Sequence, residues 1–417
     1  MDQQYGEMWV DGAEGRALWT RADAVLPGGA MYISRSADMA GRGNLPGWIV
    51  AAEGARVTDA DGRRYIDLLC ANGPMLLGYR HPEVEAAASA QQARGDGMSF
   101  FPPLLVDWVE RLLAQCPGFA WGCLGKNGSD VVSLALRIAR RATGRPGVVL
   151  FEAAWHGFDA ELAVRPDPQP ADATDHRVVL PWNDVEAFEA YLATHGERVA
   201  AVLLNPLDQA PLRTTRTLSA EMGAAIAAAR ARHGVRIILD DVRNGLRLHP
   251  QGSHQVLGIG TPDLLCLGKA IANGYATSAL LGASDLKAVA AKIPFTASHV
   301  FGAVAMAAGI ATLDVYDRDD AFARIEAAGT QLRAGLLQAA GLAGHDLEIS
   351  GPPSMPTLRF EGPDGPALGR RFAFEAARRG ALFHPSLNHF LSAAHDDAVI
   401  EEAVEIADAA LQALGPA

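Results

Sequence analysis

From about residue 120 the hydrophobic positions fall into short unbroken runs: Val148–Phe151, Val199–Leu204, Val235–Leu239, Leu264–Leu267 and Ser278–Gly282. Runs that do not alternate belong to strands buried on both faces, so the pattern predicts a mainly parallel sheet covered by helices. A further strand is expected at Ala120–Leu124, leading into Asn127-Gly128-Ser129-Asp130 and a helix. Between two of the runs, LSAEMGAAIAAARARHG offers Ser219 as a cap, an Ala-rich body and Gly234 as a stop, which reads as a crossover helix.

The ends of the chain read differently. A helix is expected over Gly12–Ala24, ending at Pro27-Gly28-Gly29, because Pro and paired Gly cannot continue it. In ARVTDADGRRYIDLL, Asp61-Gly62 lies between two runs with β-branched and aromatic residues, which predicts a β-ribbon over 55–69 closed by a two-residue turn. After about residue 308 the pattern is helical and amphipathic, then extended near PTLRFEG, then helical again on either side of HPSLNHFLSAAH. The expected organisation is an arm and ribbon at 1–70 packing with the small domain, a large domain at 71–308, and a smaller α+β domain at 309–417.

Composition narrows the class. A chain of 417 residues exceeds what one core usually supports. Its 36 basic against 48 acidic residues, net -12, give no electrostatic footprint for nucleic acid or an anionic membrane. Cys70, Cys116, Cys123 and Cys266 form no C-x-x-C pair and are expected to be reduced thiols. The first residues have no signal-peptide pattern, and the longest apolar stretch, Val300–Leu313, is too short to span a bilayer. A cytoplasmic location is the resulting expectation.

Four features carry candidate chemistry, and each also has an ordinary reading. Lys269 arrives just past the end of a buried strand, where ligands of open α/β sheets sit; a Lys there can be a Schiff-base nucleophile or can snorkel to solvent. Asp240-Asp241 ends another such run, and alternation turns the two carboxylates to opposite faces, so only one can meet a ligand. That one suits a protonated pyridine nitrogen, a metal or a turn cap. Asn127-Gly128-Ser129 at a helix start can cup a phosphate or simply cap the helix. Trp155-His156-Gly157, after the Val148–Phe151 strand, presents an aromatic face that could stack on a planar heterocycle or pack in the core. In chain order these are a phosphate cup, a stacking aromatic, a carboxylate and a lysine, the set that pyridoxal-5′-phosphate (PLP) requires. His384, His389 and His395, spaced by five and six, share no helical face, and no metal is expected.

The motifs LPGG followed by Arg35, DADGRRYID, GPMLLGYRHP, KNGSDVV, RIARRATGR, WHG, DDVRNGLR, PDLLCLGKAIANG and LSAAH resemble those of the class-III (ω-type) aminotransferases. The resemblance is strongest to their glutamate-1-semialdehyde aminomutase-like branch and covers nearly the whole chain. It implies a PLP-dependent transferase of fold type I acting as a homodimer with shared sites. It also implies that Lys269 forms the Schiff base and that Asp240 contacts the pyridine nitrogen. Asn127, Gly128, Ser129, His156 and Val242 would line the cofactor site, Trp155 would stack where the family usually has Tyr, and Ser298 would reach the phosphate from the partner subunit. Tyr32, Arg35 and His389 are the implied substrate-binding residues. The family's Glu-Pro is replaced by Asn205-Pro206, followed by LDQAPLRTT instead of a Gly-rich stretch. Several strings look most like class-III enzymes of long-chain amino polyols, which implies a bulky amine donor without an α-carboxylate and a keto-acid acceptor such as pyruvate. An aminomutase or an amino-acid racemase is the alternative outcome of the same chemistry.

Overall fold

The computed structural model describes residues 9–31, 42–162, 176–208 and 210–415. The chain forms two compact units, one of Met1–His81, Pro211–Thr214 and Ala323–Ala417, the other of Pro82–Ala210 and Thr215–Phe322.

In the first unit the opening helix spans Ala13–Val25 and stops before Pro27, with Gly28 at φ +62°. Its N-cap is Gly12, which has no side chain to offer, and the carboxylate of Asp61 caps it instead. Asp61 accepts from the N–H groups of Gly12 (2.8 Å), Glu14 (3.0 Å) and Gly15 (3.1 Å). Strands β1 (Ile49–Glu53), β2 (Arg56–Asp59) and β3 (Arg64–Asp67) follow. The ribbon is present, but its turn is not the two-residue type expected at Asp61-Gly62. The last pair is Thr58 with Arg64, and the carboxylate of Asp59 draws in the N–H groups of Asp61 (3.0 Å) and Arg63 (2.8 Å), which widens the loop.

The second unit holds a seven-stranded sheet: β4 (Trp121–Gly125), β5 (Gly147–Phe151), β6 (Arg177–Leu180), β7 (Val199–Leu204), β8 (Arg236–Asp240), β9 (Leu264–Leu267) and β10 (Ser278–Gly282). Their spatial order is β4-β10-β9-β8-β7-β5-β6. Only β10 runs against its neighbours, pairing antiparallel with both β4 and β9, so the sheet is mainly parallel as the runs predict. β7 and β9 are buried along their whole length. Val131, Ala135 and Ile138 of the helix Gly128–Thr143 pack onto Leu150, Leu203, Ile238, Leu264 and Leu280 of five strands. Each such Val, Leu or Ile side chain contributes about 1.5–3 kcal/mol of burial. The crossover helix is Ala220–His233; Ser219 Oγ accepts from the N–H of Met222 at 3.1 Å, and Gly234 ends it at φ +64°.

The remainder of the first unit has a hairpin of β11 (Leu347–Ser350) and β12 (Thr357–Phe360), then helices Gly365–Arg379 and Asp397–Ala413. Between those helices β13 (Ala381–Leu382) pairs parallel with β3, through Ala381 with Ile66 and Leu382 with Asp67. The N-terminal ribbon and the C-terminal region therefore share one sheet, β1-β2-β3-β13. Among the described residues no helix is long and apolar enough to cross a membrane.

Candidate active site

Five strands of the seven-stranded sheet deliver polar residues to one edge, because β4, β5, β7, β8 and β9 all run the same way. Asp240 is the last residue of β8, Lys269 lies two residues beyond β9, Asn127 two beyond β4, Asn205 directly after β7, and Trp155-His156 shortly after β5. Ligand sites of open α/β sheets form at this carboxyl edge.

The two aspartates part as strand alternation requires. Asp240, 3% exposed, accepts from His156 Nδ1 at 2.9 Å and from the Val242 N–H at 3.2 Å. A carboxylate can only accept, so His156 carries its proton on Nδ1 in this pair. Its Nε2 is buried without a hydrogen-bond partner among the described residues. Asp241 points away and accepts from the N–H (2.8 Å) and hydroxyl (2.6 Å) of Ser253. Burial raises its carboxyl to about 6. Asn205, 1% exposed, donates to the carbonyl of Asp240 at 3.4 Å, while its own side-chain oxygen is buried without a partner among the described residues.

Lys269 is half-buried and starts the turn Lys269–Ala272 at φ +44°, a left-handed conformation that an L side chain adopts only when its surroundings impose it. Burial lowers its ammonium to about 8, the charge of Arg243 pushes the same way, Asp240 opposes, and Arg247 adds a smaller push. A lysine so placed is partly neutral at the pH where others are fully charged.

Backbone contacts bind the pieces together. Val242 sits between two glycines: a Cβ on Gly128 would lie 2.8 Å from its Cγ1, and one on Gly268 3.1 Å. Only glycine lets the helix start and the Lys269 loop approach that side chain. At the helix start, the Asp130 carboxylate accepts from the N–H groups of Lys126 and Asn127, both at 2.8 Å. Ser278 Oγ donates to the carbonyl of Asn127 at 2.8 Å, and Ser129 Oγ accepts from the Phe158 N–H at 3.3 Å. The Asp130 N–H already donates to the Asn127 carbonyl at 3.2 Å, which leaves the N–H groups of Gly128 and Ser129 at the helix N-terminus to receive an anion. An open groove of about 410 Å³ adjoins Ser129.

Lys269, Asp240, His156, Asn127, Gly128, Ser129 and Val242 thus belong to one region of one unit. Trp155 also follows β5 and is 58% exposed. Ser298 is exposed in the segment before the helix Ala303–Arg318. Tyr32 and Arg35 lie outside the described residues. His389 belongs to the other unit and is 1% exposed. Its Nε2 accepts from the His384 N–H at 3.0 Å and its Nδ1 donates to the Pro356 carbonyl at 3.2 Å, while burial lowers it to about 4. Both ring nitrogens are thereby committed to backbone. His384 and His395 accept backbone N–H groups in the same segment. Among the described residues no cluster of His, Cys, Asp or Glu could hold a metal. The sequence reading missed Arg243 and Arg247; both stand in the DDVRNGLR string, but only the fold brings that turn beside Lys269.

The donor set fits a phosphorylated pyridine aldehyde: a lysine of lowered basicity, a buried carboxylate for a ring N–H, and a helix N-terminus for a phosphate. Residues 39–344 match the family "Aminotransferase class-III". The aminopentol aminotransferase of Sphingopyxis macrogoltabida is 35% identical over 405 residues, 97% of this chain and 95% of that one. A glutamate-1-semialdehyde 2,1-aminomutase of Polynucleobacter necessarius subsp. necessarius (strain STIR1) is 30% identical over 438 residues, 96% and 99% of the two chains. The solved PLP internal aldimine form of the FumI protein of Sphingopyxis sp. MTA144 superposes with a TM-score of 0.93 at 35% identity, covering 97% of each chain. The chain belongs to the class-III aminotransferase family. It is a PLP-dependent transaminase of fold type I.

Proposed function

We propose that the protein moves the amino group of a bulky amine lacking an α-carboxylate to a keto acid such as pyruvate, with Lys269 as its catalytic lysine and Asp240 as its electrostatic partner. The observation that carries this reading is Lys269 at the sheet edge, lowered to about 8, beside the Asp240–His156 pair. PLP, when bound, supplies an electron sink for the pair of electrons left when the substrate C–H bond breaks. Lys269 would hold the cofactor through Nζ and, once released, would move the proton between the substrate carbon and the cofactor's C4′, which requires the neutral amine. Asp240, oriented by His156, would hold a protonated pyridine nitrogen. Asn127, Gly128 and Ser129 would receive the phosphate, Val242 would line the cofactor site and Trp155 would supply the aromatic face that stacks on the ring.

The donor class follows from a relative named for an aminopentol and from Asn205-Pro206 and LDQAPLRTT, where the wider family has Glu-Pro and a Gly-rich stretch. Tyr32, Arg35 and His389 are assigned to the donor's binding, as the family resemblance implies. A homodimer completes each site through Ser298 of the partner subunit. Exposed Phe100 and Phe101, the latter edge-on to Phe301 at 5.0 Å between ring centres, support such an interface. Cysteines that form no disulfide and are mostly buried suit a cytoplasmic protein.

Incubating the holoenzyme with an aliphatic amino alcohol and pyruvate tests the reading. Stoichiometric alanine is expected. Isomerised or racemised amine without alanine would instead favour the aminomutase-like alternative, which the 30% identical relative keeps in view.

A further inference from the structure

We propose that Asn127-Gly128 is a site of self-modification: while the phosphate cup is empty, Asn127 loses its side-chain amide as ammonia and the cup acquires a carboxylate. The effect on the cofactor rests on the assignment of Asn127, Gly128 and Ser129 to its phosphate; the modification itself does not.

The chain contains four Asn-Gly pairs, at 72–73, 127–128, 244–245 and 273–274. Asparagine is a thermally labile residue, and most so before glycine, whose backbone nitrogen is unscreened by any Cβ. That nitrogen attacks the side-chain carbonyl carbon of the asparagine. The new C–N bond closes a five-membered imide, and the side-chain nitrogen leaves as ammonia with the proton that the glycine nitrogen gives up. Water then opens the imide at either carbonyl, leaving aspartate or isoaspartate. In sum one amide and one water become one carboxylic acid and one ammonia, with nothing oxidised or reduced. The reaction needs a glycine N–H that no acceptor holds and an asparagine that water reaches.

The fold separates the four pairs. Asn244 is fully buried, and the Gly245 N–H donates to the Asp241 carbonyl at 2.8 Å. The Gly73 N–H is held in the same way by the Cys70 carbonyl at 2.9 Å. Asn273 is buried where it caps the Lys269–Ala272 turn. Asn127 alone of the four is exposed, and its backbone is extended, at φ −113° and ψ 161°. Gly128 opens the helix Gly128–Thr143, so its N–H has no acceptor within that helix. Two bonds to the Asn127 carbonyl resist the rotation that brings nitrogen and side chain together, from Ser278 Oγ at 2.8 Å and from the Asp130 N–H at 3.2 Å. They slow the reaction but occupy neither reacting atom.

Packing keeps the pair as it is. A Cβ at 128 would lie 2.8 Å from Val242 Cγ1, so no bulkier residue can stand there to hinder the attack. A bound phosphate would hold the Gly128 N–H and cover Asn127, so occupancy protects the pair. Once formed, a carboxylate at 127 would meet that phosphate with like charge, and isoaspartate would lengthen the backbone directly before the helix. The cup thereby records how long it has stood empty.

The test is to age the full-length protein in mildly alkaline buffer, cofactor-free and with excess PLP, and to follow peptide masses over time, with the urea-unfolded chain as the reference in which all four pairs react. In the cofactor-free protein the peptide with Asn127 should show the amide-to-acid mass change first, about 10-fold or more ahead of the other three, which must open locally before they react. Excess PLP should slow it by about 10-fold or more, since only the unoccupied share reacts. The aged cofactor-free protein should rebind PLP about 10-fold or more weakly, through like-charge repulsion. Asn127→Ser, which lacks the amide, should bind PLP after ageing as it does before. An earlier change at any other pair, or none at Asn127 while the unfolded chain is converted, would overturn the proposal. Modification of Asn127 at one pace with and without PLP would uphold the site and contradict the phosphate assignment.

Discussion

In the proposed reaction Lys269 would act as the neutral amine, a form that burial and the charge of Arg243 favour. Asp240, held by His156 and the Val242 N–H, would face the ring nitrogen. Replacing Asp240 by Ala should leave the cofactor bound yet lower kcat about 100-fold or more, since it removes the preorganised partner of the ring nitrogen; steady-state kinetics with a retained visible band is the check. For Lys269 the linkage sign is that of a lowered lysine. The folded state releases the proton near 8 and the unfolded chain near the ordinary 10.5, so stability from this group grows as pH rises through that window and is least below it. Cofactor-free Lys269→Met should accordingly be more stable than wild type below pH 8 in urea titrations, the difference shrinking toward pH 10.5. At this scale the sequence was readable where a residue type is rare in its place, as with a lysine after a buried run. Arg243 was not readable, because an arginine three residues past a strand end gives no sign of which neighbouring loop it faces.

Elements place these side chains, and the tightest fits are made by glycines. Gly128→Ala would drive a methyl group into Val242, a neighbour held by the same turn that carries Arg243. The expected result is weakened cofactor retention together with a loss of about 1–3 kcal/mol in stability, measured by cofactor dissociation and thermal melts. Asp241 makes a second element-level prediction. Its carboxyl is raised from 3.8 to about 6, so the stability it contributes is present below 3.8 and is lost as pH rises through 6. The stability of Asp241→Asn relative to wild type should therefore climb across that interval and level off above it. Strand positions were legible because burial on both faces leaves an unbroken apolar run, as in β7 and β9. Strand direction was not: Ser278–Gly282 reads like its neighbours, yet β10 runs against them, and a continuous run carries no mark of orientation. The ribbon's loop length escaped for a different reason, since the Asp59 side chain competes for the amides that a two-residue turn at Asp61-Gly62 would use.

For the whole molecule, family membership sets the chemistry, and what distinguishes this chain lies at the margins of the site. Net charge -12 and the mainly parallel sheet were evident from composition and pattern, whereas the pairing of β3 with β13 across more than three hundred residues was not, because β13 is only two residues long. The proposed homodimer predicts a particle of about twice 44.0 kDa by light scattering. Phe101→Asp should shift it toward monomer and lower activity in step, because each site would lose Ser298 of the partner subunit; a monomer with full activity would contradict the shared-site arrangement.

The most direct test of the central claim is reduction of the holoenzyme with borohydride followed by peptide mass mapping. The account predicts loss of the visible band and a reduced pyridoxyl phosphate adduct on the peptide containing Lys269, absent in Lys269→Ala. An adduct on another lysine, or none, would contradict it.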